Sequence, residues 1–204
     1  KIESDYCFLQ DSTIWCKWEI VKYEIEIVID ETTKQTQFVE YGSTIKNLQQ
    51  PSKENHIFNG FYLDSDCKNP INEENLIDKN LTIYVKWIDI HAIPYKVVYK
   101  GENITDDKYS IIETNVLYGS LNEEVVAPIK TYEGLEVISS DVKGQIVLDG
   151  SLVLEVLYRR KTYEVTYIIH GEEYEKVTDL KYNTKYKLID NVMLKGYIFR
   201  GWYV

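Results

Sequence analysis

The sequence predicts a mostly β protein that is built from small repeated units. Residues 11–18 (Asp-Ser-Thr-Ile-Trp-Cys-Lys-Trp) return in pattern as residues 80–87 (Asn-Leu-Thr-Ile-Tyr-Val-Lys-Trp), roughly 70 residues later. Residues 60–62 (Gly-Phe-Tyr) return as residues 201–203 (Gly-Trp-Tyr), at about twice that distance. The 18 tyrosines, against 10 glycines and 4 prolines, indicate a packed, strand-rich chain. Such a period marks a whole folded module near the lower size limit for independent folding.

The second repeat, residues 21–90, opens with a predicted β-hairpin. Apolar and polar side chains alternate over residues 23–29, which is the period of a strand with one face on a core. Residues 30–34 supply a polar turn, and residues 35–40 return as the partner strand.

The rest of the second repeat is predicted to contain a turn, a short helix at most, and two strands. Gly42 lies in a turn where glycine tolerates a positive φ, and residues 45–50 precede the helix-ending Pro51. Residues 56–62 form an aromatic strand interrupted by glycine. A long polar loop leads to the last strand, whose apolar face is formed by Leu81, Ile83, Val85 and Trp87.

The remaining repeats are predicted to be partial or divergent. Residues 1–20, the first repeat, match only the closing part of the pattern, and residues 161–204, the fourth repeat, match only the opening part. The third repeat, residues 91–160, opens with strand residues 95–99 and has residues 152–158 in place of the last strand. It has no Gly-aromatic-Tyr element, so the same scheme is expected to enclose a different core.

The ordered elements of the second repeat carry a family resemblance. The turn at Gly42, then Pro51, residues 60–67 and residues 80–87, resemble the Listeria-Bacteroides repeat, the B-repeat of internalin-type surface proteins. The usual Gly-Trp-Tyr of that repeat is present at residues 201–203. The resemblance covers the second repeat and the two partial repeats.

The third repeat resembles the mucin-binding-protein (MucBP) type of repeat. The residues that carry this resemblance are 95–99, 132–135 and 149–152. Both families imply ubiquitin-like β-grasp modules, which are small α+β domains, in an elongated array. Both also imply an extracellular location, on the cell surface of a bacterium or in a secreted protein.

Charge and hydropathy exclude several classes of partner. With 23 Lys+Arg against 33 Asp+Glu, the chain of 204 residues has a net charge of -10, which argues against nucleic acid and anionic membrane surfaces. No apolar run approaches the roughly 20 residues of a membrane-spanning helix, so membrane insertion is not expected. The first residues lack the apolar stretch of a signal peptide, and we expect a mature or excised segment.

No catalytic constellation is evident, so we expect a non-enzyme without metal or cofactor. His56, His91 and His170 have neither metal-ligand spacing nor a nucleophile motif, and they are interpreted as surface or loop residues. Residues 64–66 (Asp-Ser-Asp) and residues 106–107 (Asp-Asp) are candidate calcium ligands. Neither stretch has a full ligand series, so a solvated acidic loop is the preferred interpretation.

The cysteines and tryptophans each allow two interpretations. Cys7, Cys16 and Cys67 are predicted to be small buried thiols, and a disulfide between Cys7 and Cys16 is the alternative. Large aromatic residues would suit a sugar-stacking platform, but their recurrence at equivalent positions favours a core. These aromatic residues are Trp15, Trp18, Trp87, Trp202, Tyr62 and Tyr203.

The leading functional hypothesis is a non-enzymatic stalk or spacer of an adhesin-like surface protein. The alternative is a module that binds a host glycan or host protein. The two partial ends, residues 1–20 and 161–204, complement each other in pattern, so a further candidate partner is a second copy in head-to-tail self-association.

Overall fold

The structure is a computed structural model that describes residues 5, 7, 9–106, 108–190 and 192–204. Strands dominate it, which confirms the mostly β class. Contacts divide the chain into two compact units, Lys1–Asp89 and Ile90–Val204.

The first compact unit contains one mixed four-stranded sheet. Its elements are β1 (Lys22–Val28), β2 (Lys34–Glu40), a 3-10 turn (Ile45–Asn47), β3 (His56–Tyr62) and β4 (Leu81–Asp89). The strand order is β2-β1-β4-β3. The central strands β1 and β4 are parallel, and Ile27 lies opposite Ile83, whereas β2 and β3 run antiparallel to their neighbours.

The core of this sheet follows directly from the alternation in its strands. Ile25 and Ile27 of β1 and Ile83 of β4 are fully buried. Each such side chain contributes about 1.5 to 3 kcal/mol by leaving water. The surrounding buried residues are Val39, Ile45, Leu48, Phe61, Ile77 and Val85.

Local polar contacts close the β1–β2 hairpin. The Asp30 carboxylate accepts hydrogen bonds from the backbone N–H groups of Thr32 and Thr33, at 3.0 and 2.9 Å. These hydrogen bonds, that from Thr32 first, lower the pKa of Asp30. The hairpin and the two later strands that the sequence predicted for the second repeat are all present. The predicted short helix is a 3-10 turn of three residues.

The second compact unit contains three sheets. Its strands are β5 (Ile93–Glu102), β6 (Tyr109–Gly119), β7 (Glu124–Val126), β8 (Leu135–Val137), β9 (Lys143–Gln145), β10 (Val153–Arg160), β11 (Thr162–Ile169) and β12 (Glu172–Lys181). One sheet has the order β6-β5-β10-β8, and the pairs β7–β9 and β11–β12 form two small antiparallel sheets.

The larger sheet of the third repeat has the same topology as the sheet of the second repeat. Its central strands β5 and β10 are parallel, and β6 and β8 flank them in antiparallel fashion. Tyr99 and Tyr158 are fully buried at the centre of this sheet, where the second repeat has Ile27 and Val85. The Tyr99 hydroxyl donates to the Pro128 carbonyl at 2.9 Å, so the buried phenol is hydrogen-bonded. The divergent sequence therefore encloses a tyrosine-rich core in the same strand arrangement.

Candidate functional site: an open strand position in the fourth repeat

The fourth repeat consists of the hairpin β11–β12 and an aromatic arm, residues 196–204. Tyr167 of β11 is 2% exposed, and its ring centroid lies 4.6 Å from that of Trp202 in the arm. The Trp202 indole N–H donates to the Ile189 carbonyl at 2.8 Å. Phe199 packs against Trp202 at 5.4 Å. The arm is therefore held against one face of the hairpin by aromatic contacts and a hydrogen bond.

The backbone of the fourth repeat adopts the conformation of the second repeat at equivalent turns. Three residues of the second repeat and the three equivalent residues of the fourth repeat all have left-handed φ angles. These pairs are Gly42 (87°) with Asn183 (67°), Asn55 (59°) with Gly196 (85°), and Gly60 (96°) with Gly201 (122°). The fourth repeat thus shares these three left-handed positions with the second repeat.

Within the described residues, no strand of the fourth repeat corresponds to β4, which lies at the centre of the sheet of the second repeat. In the second repeat, β4 pairs with β1 on one side and with β3 on the other. Among the described residues, β11, the equivalent of β1, pairs with β12 alone. The aromatic arm, the equivalent of β3, is not in a strand. Because β3 pairs only with β4, the arm has no ladder partner when that strand is missing.

An apolar cleft of about 360 Å³ lies between the end of β11 and the arm. The end of β11 lines one side, where Ile168 is 52% exposed. The arm lines the other side, where Tyr197 and Ile198 are 68% and 76% exposed. A contiguous exposed apolar surface of this kind is typical of an interaction surface.

Residues 11–18 carry the β4 pattern but form no strand in the structure. Trp15 and Trp18 are 85% and 87% exposed. The prediction that these two tryptophans belong to a core is therefore wrong in the structure, because no described strand pairs with residues 11–18. Trp87, at the equivalent position of Trp18, is half-buried and donates its indole N–H to the Ile29 carbonyl at 2.8 Å.

A polar cluster joins the third repeat to the fourth. The Glu102 carboxylate lies 2.7 Å from the Lys181 ammonium and accepts the backbone N–H of Arg160 at 2.8 Å. The Arg160 guanidinium donates to the carbonyls of Glu102 and Tyr182. The hydrogen bond from Lys181, followed by that from Arg160, lowers the pKa of Glu102. No motif or periodicity indicated this cluster, because its members come from separate strands.

A tyrosine and lysine cluster stabilises the third repeat internally. The Lys130 ammonium lies 4.8 Å from the centroid of the Tyr99 ring and pairs with Glu113. The Tyr132 hydroxyl also donates to Glu113, at 2.6 Å. Burial and the Glu113 contact raise the pKa of Tyr132. All the polar groups of this cluster are paired within it, so we assign it to the stability of the sheet.

The family model of the Listeria-Bacteroides repeat domain matches residues 23–86 and 163–204, which together exceed half of the chain. The chain belongs to the Listeria-Bacteroides repeat family. The resemblance predicted from the sequence is confirmed for the second and fourth repeats. Residues 87–162 lie outside the matched ranges, although the third repeat has the same sheet order as the second.

Two curated relatives of this Listeria-Bacteroides repeat chain come from Evansella cellulosilytica. A "Putative membrane protein" is 23% identical over 202 residues, covering 94% of the chain and 29% of the relative. A "Putative Gly-rich membrane protein" is 24% identical over 201 residues, covering 94% of the chain and 22% of the relative. The chain therefore spans less than a third of the length of these curated relatives. No helix in the described residues has the length and apolarity needed to cross a membrane.

The candidate calcium ligands in the described residues make local hydrogen bonds. The Asp64 carboxylate accepts the backbone N–H groups of Lys68 and Asn69, at 3.0 and 2.7 Å. The Asp106 carboxylate accepts hydrogen bonds from the side-chain amide of Asn103 and from the backbone N–H of Lys108. Asp107 lies outside the described residues. No group of three potential metal ligands occurs in the part of the chain that the structure describes.

The histidines lie far from one another in sequence, and each has a local contact. His56 packs edge-on against Trp87, with ring centroids 6.3 Å apart. His91 lies 3.2 Å from the Ser120 hydroxyl, and His170 packs against Tyr197 at 5.5 Å. These contacts place all three residues on loops or strand ends, as the sequence predicted.

The cysteine prediction is wrong in part. Cys7 and Cys16 are free and exposed, and Cys67 is free and partly buried. Cys16 occupies the position of Val85, which is 7% exposed in the second repeat. Its exposure has the same cause as that of Trp15, because no sheet surrounds residues 11–18.

Proposed function

We propose that this chain is a non-enzymatic extracellular segment of a bacterial surface or secreted protein, in which it acts as a spacer. The observation that supports this role is the repetition of one strand order, β2-β1-β4-β3 and β6-β5-β10-β8, in two neighbouring repeats of different sequence. Each sheet encloses its own core of buried apolar side chains. A chain that preserves topology while the side chains change is typical of modules selected for their dimensions.

The modules are proposed to be tandem β-grasp domains, the third of MucBP type. In support, the second and third repeats each have two central parallel strands, and each central strand has an antiparallel neighbour at the edge. In the second repeat, the segment between β2 and β3 carries the 3-10 turn Ile45–Asn47, and Ile45 of this turn is 2% exposed. This turn occupies the place of a longer helix in such a domain.

The extracellular location is supported by the family and by the names of the relatives. The Listeria-Bacteroides repeat resembles modules of internalin-type surface proteins, and both relatives are described as membrane proteins. Because the chain spans less than a third of those relatives, it acts as one segment of a longer protein in this proposal.

Small-angle X-ray scattering of the 204-residue chain tests the spacer role. A compact globule of this length has a radius of gyration of about 17 Å. We expect a clearly larger value and an elongated distance distribution, measured at dilutions where the mass is that of one chain. A value near 17 Å would contradict the spacer role. Saturable binding to a mucin-type glycan array would instead favour the alternative, a binding module.

A further inference from the structure

We propose that β6 of the third repeat is the contact surface of a symmetric dimer. In this dimer, β6 pairs in antiparallel fashion with β6 of a second copy of the chain, across a two-fold axis at Val116. The two four-stranded sheets then form one continuous sheet. The proposal does not rest on the spacer role, and it uses only the third repeat, whose four sheet strands are all described.

β6 forms a long free edge of its sheet. It is the first strand in the order β6-β5-β10-β8, and among the described residues it pairs with β5 alone. With 11 residues it is also the longest strand that the structure describes. A long edge strand presents a row of unpaired N–H and C=O groups, which can pair with a strand of another chain.

The hydrogen bonds of β5 show which groups of β6 point to the free edge. The Lys96 N–H donates to the Leu152 carbonyl at 2.9 Å, so Lys96 directs its backbone groups to the β10 side. Val116 lies opposite Lys96, and the two form a pair that is not hydrogen-bonded. The N–H and C=O groups of Val116 therefore point away from β5. By alternation along the strand, those of Thr114 and Tyr118 do the same.

A two-fold axis at Val116 pairs all three of these residues with their counterparts. Val116 lies opposite Val116 of the second copy, and Thr114 lies opposite Tyr118 of the second copy. Each such pair exchanges two backbone hydrogen bonds. Val116 and Tyr118 are 50% and 67% exposed, so the contact also covers apolar side chains. Pairs of β-branched and aromatic residues directly opposite each other stabilise antiparallel strands.

The charge of β6 favours a second copy as its partner. The chain has a net charge of -10, so two copies repel each other unless they meet at a surface without unpaired charge. Glu113 is the one charged residue of β6. It pairs with Lys130 and accepts the Tyr132 hydroxyl at 2.6 Å. In the proposed register Glu113 lies opposite Gly119 of the second copy, so no like charges face each other.

The other edges of the two four-stranded sheets are less suited to pairing. β2 ends in Lys34 and Glu40, whose side chains are 56% and 54% exposed. β3 has a bulge in its pairing with β4, and β8 has three residues. Charges, bulges and short length are the features that protect edge strands from association. β6 has a bulge at Ile112, but residues 113–119 beyond it pair regularly with β5.

A charge at the axis tests the proposal in the intact chain. Val116→Lys places two ammonium groups directly opposite each other, on a face that is exposed in the single chain. Ile111→Lys is the matched control, because Ile111 is 63% exposed on the same strand but lies outside the paired segment. Circular dichroism checks that both variants are folded. Sedimentation velocity is measured up to about 1 mM chain, so that micromolar dissociation constants are detected. A reductant prevents disulfides through the exposed Cys7 and Cys16.

We expect the mass of the parent chain and of Ile111→Lys to rise with concentration from one copy to two. Val116→Lys should associate at least tenfold more weakly. A parent that stays monomeric at every concentration overturns the proposal, and so does equal association of Val116→Lys and the parent. A two-fold contact closes at the dimer. A parent mass that rises beyond two copies would therefore indicate head-to-tail association instead and would also overturn the proposal.

A disulfide cross-link tests the register separately, in a chain whose Cys7, Cys16 and Cys67 are replaced by serine. Val116→Cys brings two thiols together at the axis, because the Cα atoms of a hydrogen-bonded antiparallel pair are about 5.5 Å apart, within the range of disulfides. In Ile111→Cys the two thiols lie about 30 Å apart in the same dimer. Oxidation should therefore convert Val116→Cys to a covalent dimer and leave Ile111→Cys largely monomeric.

Equal yields of covalent dimer from Val116→Cys and Ile111→Cys would overturn the proposed register and, with it, the dimer. The spacer role is tested by scattering at dilutions where the mass is that of one chain. Its failure is therefore distinguishable from failure of the β6 contact.

Discussion

The Tyr182 ring lies directly over Gly134, so closely that a Cβ atom on Gly134 would overlap it. Gly134 also has a φ of 69°, which disfavours any residue with a side chain. The Lys161 N–H donates to the Gly134 carbonyl at 2.9 Å, and the Tyr182 N–H donates to the Lys161 carbonyl at 2.8 Å. The contact therefore ties the third repeat to the start of the fourth.

Gly134→Ala should destabilise the second compact unit by two separate causes. Positive φ costs about 1 to 3 kcal/mol, and the overlap with Tyr182 adds about 1 to 3 kcal/mol. The matched control is Gly171→Ala, which has a φ of 83° and open space around the new Cβ. Urea unfolding followed by circular dichroism measures both. Equal losses of stability in Gly134→Ala and Gly171→Ala would show that the Tyr182 contact is unimportant. When Tyr182→Ala is added to Gly134→Ala, part of the lost stability should return, because the overlap is removed.

Glu102→Gln should weaken the junction between the third and fourth repeats by about 1 to 3 kcal/mol at neutral pH, because it removes the charged acceptor shared by Lys181 and Arg160. The pKa of Glu102 is lower in the folded state than its ordinary value of 4.5. The carboxylate therefore stabilises the folded state at pH values above 4.5, and this stabilisation is lost as the pH falls through the pKa of the folded state. The parent should therefore lose more stability than Glu102→Gln between about pH 5 and pH 3.

The control for Glu102→Gln is Glu136→Gln on β8, in the same sheet. Glu136 pairs with Arg159 at 3.1 Å, and both side chains are well exposed. Exposed pairs contribute about 0 to 1 kcal/mol, so this variant should change little. The midpoint of denaturant unfolding is measured for the parent and both variants at each pH. If the midpoints of the parent and of Glu102→Gln change in parallel with pH, the Glu102 carboxylate does not stabilise the junction.

Trp87→Ala should destabilise the first compact unit by about 2 to 4 kcal/mol, because it removes a half-buried indole and leaves the Ile29 carbonyl without its donor. Trp87→Phe keeps much of the packing and loses the hydrogen bond, at a cost of about 1 kcal/mol. Trp15→Ala is the control, since Trp15 is 85% exposed. A melting temperature for Trp87→Ala within a degree or two of the parent would show that the last strand is misplaced.

The three thiols should differ in their rates of reaction with a disulfide reagent at about pH 8. Cys7 and Cys16 are exposed and should react quickly. Burial, together with the nearby Asp64 charge, raises the pKa of the Cys67 thiol, so less reactive thiolate is present and the reaction is slower. Cys67→Ser should remove the slow phase alone, and three equal rates in the parent would contradict the placement of Cys67.

The sheet of the second repeat was predictable because its signals are local. Alternation over residues 23–29 predicts β1, and the apolar face from Leu81 to Trp87 predicts β4, without knowledge of any other segment. The fate of residues 11–18 was not predictable in this way. They carry the same pattern as β4, but a strand forms only where a partner offers its hydrogen-bonding groups. The alternating pattern of residues 11–18 therefore shows only that they can form a strand. Whether they do so depends on the presence of another strand that pairs with them.

The binding surface and the junction were predictable to different degrees. The sequence predicted a partial repeat at residues 161–204, but it did not predict the apolar cleft that the end of β11 and the arm line. Nothing indicated the contact of Glu102 with Arg160 and Lys181, because these residues lie at the ends of strands far apart in sequence. Such long-range polar pairs have no periodicity, and only the folded arrangement reveals them.

The tyrosine-rich core of the third repeat has a consequence for how the chain folds. Neighbouring domains of similar sequence tend to exchange strands while they fold, which is a characteristic failure of multidomain proteins. Here the second and fourth repeats match one family model, and the repeat between them in sequence has a different core built around Tyr99 and Tyr158. A strand from the second repeat finds no matching isoleucine-lined position in its immediate neighbour. We therefore expect strand exchange between the second and third repeats during folding to be rarer than it would be between two copies of the second repeat.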